Sequence, residues 1–363
     1  MKFQPTLQVS YQPPPTSPRL FPLDLLKAAS ITAVVSFHAL FVPRETFADQ
    51  VLTLDLLFAP LKFCVPVLFT LSFFLLERSL ARETSAPRKA KKRLIRLMLP
   101  LVFWFTVAAG LKLLHNNALL EVFQEVLRGG IFVGAYYLLV LGQYVPLFGW
   151  LRQKLHKDRA LGLTLLAQGA VFGLIYGALA LGSPLIGLLR ALDRPLFIYW
   201  FGYLALGIFL ERNWSRLVHL STKTSWSTKA LLVFLTALAL VLELAGLRTL
   251  TKGEIPPFDY VLFSCLLSAG VGFGVVASVQ EEDLPPWLRR VVSLLATYSL
   301  GIFCINGLLS QILLAVGSHL AVGWSFGLVA ILGIKLVGWG SLLALSLGLA
   351  VLLDRLGLGV CVR

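Results

Sequence analysis

"LDLLKAASITAVVSFHALF" occupies residues 23–41. As a helix rising about 1.5 Å per residue it is close to long enough for the roughly 30 Å hydrocarbon core of a bilayer. The stretch is almost entirely apolar. Yet it carries Asp24 and Lys27 near one end and His38 near the other. Ionisable groups in lipid are costly and mark function by default. Everything else in the sequence bears on whether this is such a span and what its charges do.

Composition fixes the solvent. Of 363 residues, 57% are hydrophobic and 14% charged, against about a quarter charged in a soluble domain. That excludes a water-soluble globule. Apolar stretches recur at 23–42, 54–76, 94–114, 129–151, 161–181, 196–212, 230–245, 258–279, 291–316 and 324–353. Lipid cannot satisfy backbone N–H and C=O groups, so such spans fold as helices. No alternating pattern of a membrane barrel is present. The expected fold is all-α: a polytopic bundle of about ten transmembrane helices forming one domain over 23–355. The last stretch is long for one span, which predicts a tilted helix or two short pieces.

Charge sets the orientation. With the amino terminus inside, the cytoplasmic loops hold 23 Lys and Arg and the outer loops seven, with Lys62 and Lys335 inside spans. This is a positive-inside asymmetry, and it predicts both termini in the cytoplasm. It also accounts for the +14 net charge, so no nucleic-acid partner is implied. The proline-rich residues 1–22 read as a disordered cytoplasmic tail, and 356–363 as a short inner tail. Cys64, Cys265, Cys304 and Cys361 have no metal spacing and no disulfide framework. No metal site is expected.

Residues 27 and 38 are three helical turns plus roughly 20° apart. They share one face, on the order of 16 Å apart along the axis. Asp24 lies one turn before Lys27 and can pair with it. Alone, Lys27 reads equally as an anchor snorkelling to the inner surface, and His38 as a hydrogen-bonded interior residue. Histidine is also the side chain best suited to moving protons near neutral pH. Glu243, inside the seventh stretch, needs a partner because a lone charge in lipid is unfavourable; a lysine is one candidate, and the sequence does not assign it.

The first span resembles that of acyltransferase family 3, integral-membrane enzymes that O-acylate envelope sugars and related molecules. The family carries L-D-x-x-R near the inner face and a histidine after ten further residues. Lys27 stands at the arginine position and His38 at the histidine. "VPVLFTLSFFLL" (65–76) resembles V-P-x-F-F-x-x-S-G, with Phe73 where the glycine follows Ser72; a phenylalanine there should crowd the helix packing. "KKRLIRLMLP" (91–100) resembles the R-x-x-R…P element, with Arg93, Arg96 and Pro100. "YYLLVLGQYVPLF" (136–148) resembles L-W-F-L…Y…P. "YSLGIFCIN" (298–306) resembles S-x-x-I/L-Y-x-x-H, with Asn306 at the late histidine.

The resemblance implies transfer of an acyl group, most simply acetyl, from cytoplasmic acyl-CoA to a hydroxyl of an envelope glycan or lipid. Acyl-CoA enters as co-substrate; no bound cofactor is implied. His38 would be general base or acyl carrier, and Lys27 would orient the donor. Lys92, Arg93 and Arg96 would bind donor phosphates, unless the basic run 88–96 is only a topology determinant touching anionic lipid heads. Asp24, Ser72, Tyr137, Ser299 and Asn306 would line the cavity, unless they serve only interhelical hydrogen bonding. Two other readings stay open: a transporter or flippase for an envelope glycan or lipid, and a catalytically degenerate relative.

The charge asymmetry is directly testable. Reporter fusions after Arg82 and after Arg363 are expected to face the cytoplasm; an outward-facing Arg82 fusion would remove the route for a cytoplasmic donor.

Overall fold

The computed structural model describes residues 20–81, 86–251, 253, 260–321 and 323–363. Every regular element among them is helical. In chain order the α-helices are α1 (Phe21–Phe37), α2 (Val51–Phe58), α3 (Cys64–Ala81), α4 (Ala86–Leu114), α5 (Leu119–Leu127), α6 (Tyr136–Lys154), α7 (Asp158–Ala180) and α8 (Leu185–Leu192). They continue with α9 (Phe201–Arg212), α10 (Trp214–Lys223), α11 (Trp226–Leu250), α12 (Phe263–Val276), α13 (Pro286–Thr297), α14 (Ser299–Leu320), α15 (Leu328–Leu353) and α16 (Gly359–Val362).

Six helical stretches among the described residues are long and apolar enough to cross a membrane: Arg44–Ala81, Leu97–Leu114, Asp158–Ala180, Trp226–Leu250, Ser299–Leu320 and Leu328–Val362. The other four predicted spans contain helices that are shorter or more polar: α1 with 17 residues, α6 with 19, α9 with 12 and α12 with 14. The tenth predicted span holds one helix of 26 residues, α15, rather than two short pieces. The ninth is divided instead: Tyr298 separates α13 from α14. The basic run assigned to a loop is largely helical, forming the first turns of α4.

α1 is the central helix, packed against α3, α12, α13, α14 and α15. Ile31 and Val35 on it are fully buried. α11 is the opposite case: Leu231, Val233, Phe234 and Leu235 are exposed on it, as a lipid-facing surface requires. In lipid, apolar burial no longer drives helix association, so close van der Waals fit and polar contacts do. The α3–α9 pair shows the first. A Cβ on Gly207 of α9 would lie 2.6 Å from the Thr70 carbonyl oxygen and 2.8 Å from Phe73 Cβ. The expected crowding at Phe73 is therefore relieved from the other helix. Phe73 is buried there, edge-on to Tyr144 at 5.3 Å and stacked with Phe148 at 6.2 Å.

Polar contacts supply the rest. Glu77 at the end of α3 is 1% exposed and accepts from Arg152 Nε at 2.7 Å and Arg212 Nε at 3.0 Å. One carboxylate thus ties α3, α6 and α9 together. Arg212 Nη1 also donates to the Leu155 carbonyl at 2.7 Å. Glu243, whose partner the sequence left open, faces the start of α12. It accepts from Tyr176 Oη at 2.6 Å, from the backbone N–H of Phe263 at 2.8 Å and Ser264 at 2.7 Å, and from the Ser264 hydroxyl. These helix-start N–H groups have no intrahelical acceptor, and the positive end of the helix favours an anion.

Glu77→Ala is expected to lower stability by about 3 kcal/mol, because two arginines then lose their shared carboxylate. A thermal unfolding midpoint in detergent equal to that of the parent protein would show the cluster to be energetically neutral.

Candidate functional site

His38 is the residue at which α1 ends. Its own N–H still bonds back to the Val35 carbonyl at 3.1 Å, and its φ of −100° and ψ of 4° take the chain out of the helix. The last carbonyls of α1 lie among packed helices, where unpaired C=O groups are costly. α15 supplies their partners. Lys335 Nζ donates to the Ser36 carbonyl in the last turn at 2.6 Å; one turn earlier, Trp339 Nε1 adds a second donor to the Thr32 carbonyl at 2.8 Å, which already has its helical partner. A Cβ on Gly338 would strike the Ala39 carbonyl oxygen, so glycine lets α15 pass against the backbone beside His38. Lys335 also lies 4.2 Å over the Phe58 ring. The interior lysine thus serves the end of α1.

The imidazole meets α14. His38 Nδ1 hydrogen-bonds Asn306 Oδ1. Asn306 is fully buried, and its Nδ2 donates to the Ile302 and Phe303 carbonyls, each at 2.8 Å. Those two bonds require the amide nitrogen to face the helix and the oxygen to face His38. An amide oxygen only accepts, so Nδ1 of a neutral His38 carries the proton and Nε2 holds the free lone pair.

At the other end of α1 a cavity of about 810 Å³ opens. Asp24, Lys27, Ser72, Tyr137 and Ser299, all expected as site residues, line it together. Ser72 Oγ and the Tyr137 hydroxyl are 2.8 Å apart, and the Tyr137 ring lies 5.1 Å from that of Phe303. Two residues that sequence reasoning did not assign to the site, Arg78 and Arg363, also line the cavity. Leu20 lines it too, so both ends of the described chain sit at the same mouth.

Asn306, expected with the cavity liners, does not line this cavity; it bonds His38 instead. His38 is not in the wall either. The wall comes closest along α14 at Phe303, one turn before Asn306. The side chains of Lys92, Arg93 and Arg96 lie outside the described residues; Leu97, next along α4, lines the cavity.

The arrangement defines an integral membrane protein with a cavity lined by Lys27, Arg78 and Arg363 at one end of α1 and a hydrogen-bonded histidine at the other. Residues 22–355 match the family model described as an acyltransferase domain, and the chain belongs to that acyltransferase family. Comparison with curated proteins finds no match, and comparison with solved structures finds none either.

The tautomer is measurable. In protein labelled with ¹⁵N-histidine, the His38 signals, assigned by their loss in His38→Gln, are expected to report protonation at Nδ1. In Asn306→Ala they are expected to shift towards a mixture of both tautomers. An unchanged spectrum in Asn306→Ala would mean that Asn306 does not set the proton.

Proposed function

We propose that the protein is an O-acyltransferase of the plasma membrane that moves an acyl group, most simply acetyl, from cytoplasmic acyl-CoA to a hydroxyl of an envelope glycan or lipid. The observation that carries this reading is the His38–Asn306 pair at one end of a helix whose other end opens on the cavity holding Lys27. We read ten spans, with both termini and the cavity mouth facing the cytoplasm on the strength of the charge asymmetry.

The chemistry follows from the tautomer. His38 Nε2 takes the proton of the acceptor hydroxyl as its oxygen attacks the thioester carbonyl carbon. The C–O bond forms, the C–S bond breaks, and the proton on Nε2 passes to the departing thiolate. The products are the acyl ester and free thiol, with His38 neutral again. Asn306 holds the ring throughout and accepts from the more acidic Nδ1–H that develops in the imidazolium. Lys27 serves the donor's phosphates at the mouth, and the donor's long arm carries the thioester past Phe303 towards His38. Arg93 and Arg96, at the start of α4, are assigned to the same donor. The acceptor approaches from the outer side.

The test is transfer of label from radiolabelled acetyl-CoA to membranes containing the protein. His38→Ala and His38→Gln are expected to lose transfer by at least about 100-fold, the scale of general-base catalysis, while still inserting and folding. Lys27→Arg is expected to retain activity, since it keeps the cation. Arg93→Ala with Arg96→Ala is expected to act mainly on the Michaelis constant for acyl-CoA. Wild-type turnover in His38→Gln would make the histidine structural and end the enzyme reading.

A further inference from the structure

The carboxyl-terminal stretch 356–363, expected as a short tail, is folded back onto the bundle. After α15 the chain reverses at Gly357, and α16 lies against α4 and α14. Val362 is fully buried, and Trp104 Nε1 donates to the Cys361 carbonyl at 2.9 Å. The next residue, Arg363, is thereby delivered into the wall of the 810 Å³ cavity. Its guanidinium is held from two sides. Nη2 donates to Asp354 Oδ2, and Cζ lies 5.8 Å over the Tyr298 ring. Tyr298 Oη in turn donates to the same Asp354 oxygen at 2.6 Å.

The geometry points to Arg363 as a binding residue: with Lys27 of α1 and Arg78 of α3 it forms a subsite for a polyphosphate-bearing ligand. This rests on the donor reading above and names the group that grips the donor's charged end. Three cations from three separate elements line one cavity, together with the carboxylate of Asp24, one turn before Lys27 on α1. Cations gathered around one concave, solvent-open mouth favour an anion of several charges. A guanidinium has five N–H donors in a rigid fork. Asp354 and Tyr298 engage part of the fork, and its remaining N–H groups suit phosphate oxygens. The Asp354–Tyr298 pair fixes the fork in advance, so little is lost in ordering it when the ligand arrives.

Binding of coenzyme A and of inorganic pyrophosphate to the full-length protein in phosphatidylcholine nanodiscs, followed by calorimetry, tests this. Arg363→Gln is expected to weaken coenzyme A binding about tenfold or more, the scale of a lost charge-assisted hydrogen bond. Its thermal midpoint is expected to stay unchanged. Arg363→Lys is expected to fall between the two, keeping the charge without the fork, and it supplies the test if the glutamine variant unfolds. Coenzyme A bound equally by the wild type and both variants would overturn the subsite and leave the donor reading standing. Arg363-dependent binding of pyrophosphate without any acyl transfer would support the subsite and end the donor reading. Binding of neither probe by the wild type would overturn the subsite.

Discussion

The bilayer gives no hydrogen bonds, and the end of α1 is where that constraint bears hardest. A helix that stops inside the bundle leaves carbonyls with no intrahelical donor. Lys335 of α15 takes the Ser36 carbonyl, Trp339 adds a second donor one turn earlier at Thr32, and glycine at 338 lets the backbones come close enough. The histidine at this point is therefore held by its main chain as well as by its ring. Asn306 then fixes which ring nitrogen is protonated, because its own amide is committed to two α14 carbonyls. Each contact uses a polar group that would otherwise be buried unpaired.

The opposite end of the same helix faces a different demand. There the protein gathers charge, some of it enclosed between helices and some lining the cavity. Glu77 is enclosed between Arg152 and Arg212 and fastens three helices. Its chain neighbour Arg78 faces the cavity. Arg363 combines the two roles, since Asp354 and Tyr298 anchor it while it lines the cavity wall. One helix, α1, thus runs from the cation-lined cavity at Lys27 to His38 at its far end.

The departures from the family pattern take on physical meaning in this frame. Phe73 stands where the pattern has glycine, and the missing space is returned by Gly207 on the facing helix. Asn306 stands where the pattern has histidine, and it is the residue that touches His38. Unlike a second histidine, it cannot itself take up a proton near neutral pH. That leaves His38 as the pair's only titratable member, with its partner restricted to orientation.

Much of this was legible in the sequence. Hydrophobic runs set by membrane thickness located a helix in every predicted span, and the motif order marked the family over nearly the whole chain. The spacing placed Lys27 and His38 at the two ends of one helix, although that helix stops at Phe37 and His38 caps it, and five of the expected site residues do share a cavity. What the sequence could not determine depends on distance through space. Nothing local links His38 to Asn306, 268 residues apart, or Glu243 to the first N–H groups of α12. Nor does a terminal arginine after a glycine-rich turn announce that it will fold back beneath α4 and α14 into a cavity wall. Apolar periodicity tells which segments the lipid will make helical. Which polar side chains then meet is decided only when those helices pack, because each must find its partner among whatever the neighbouring helix presents.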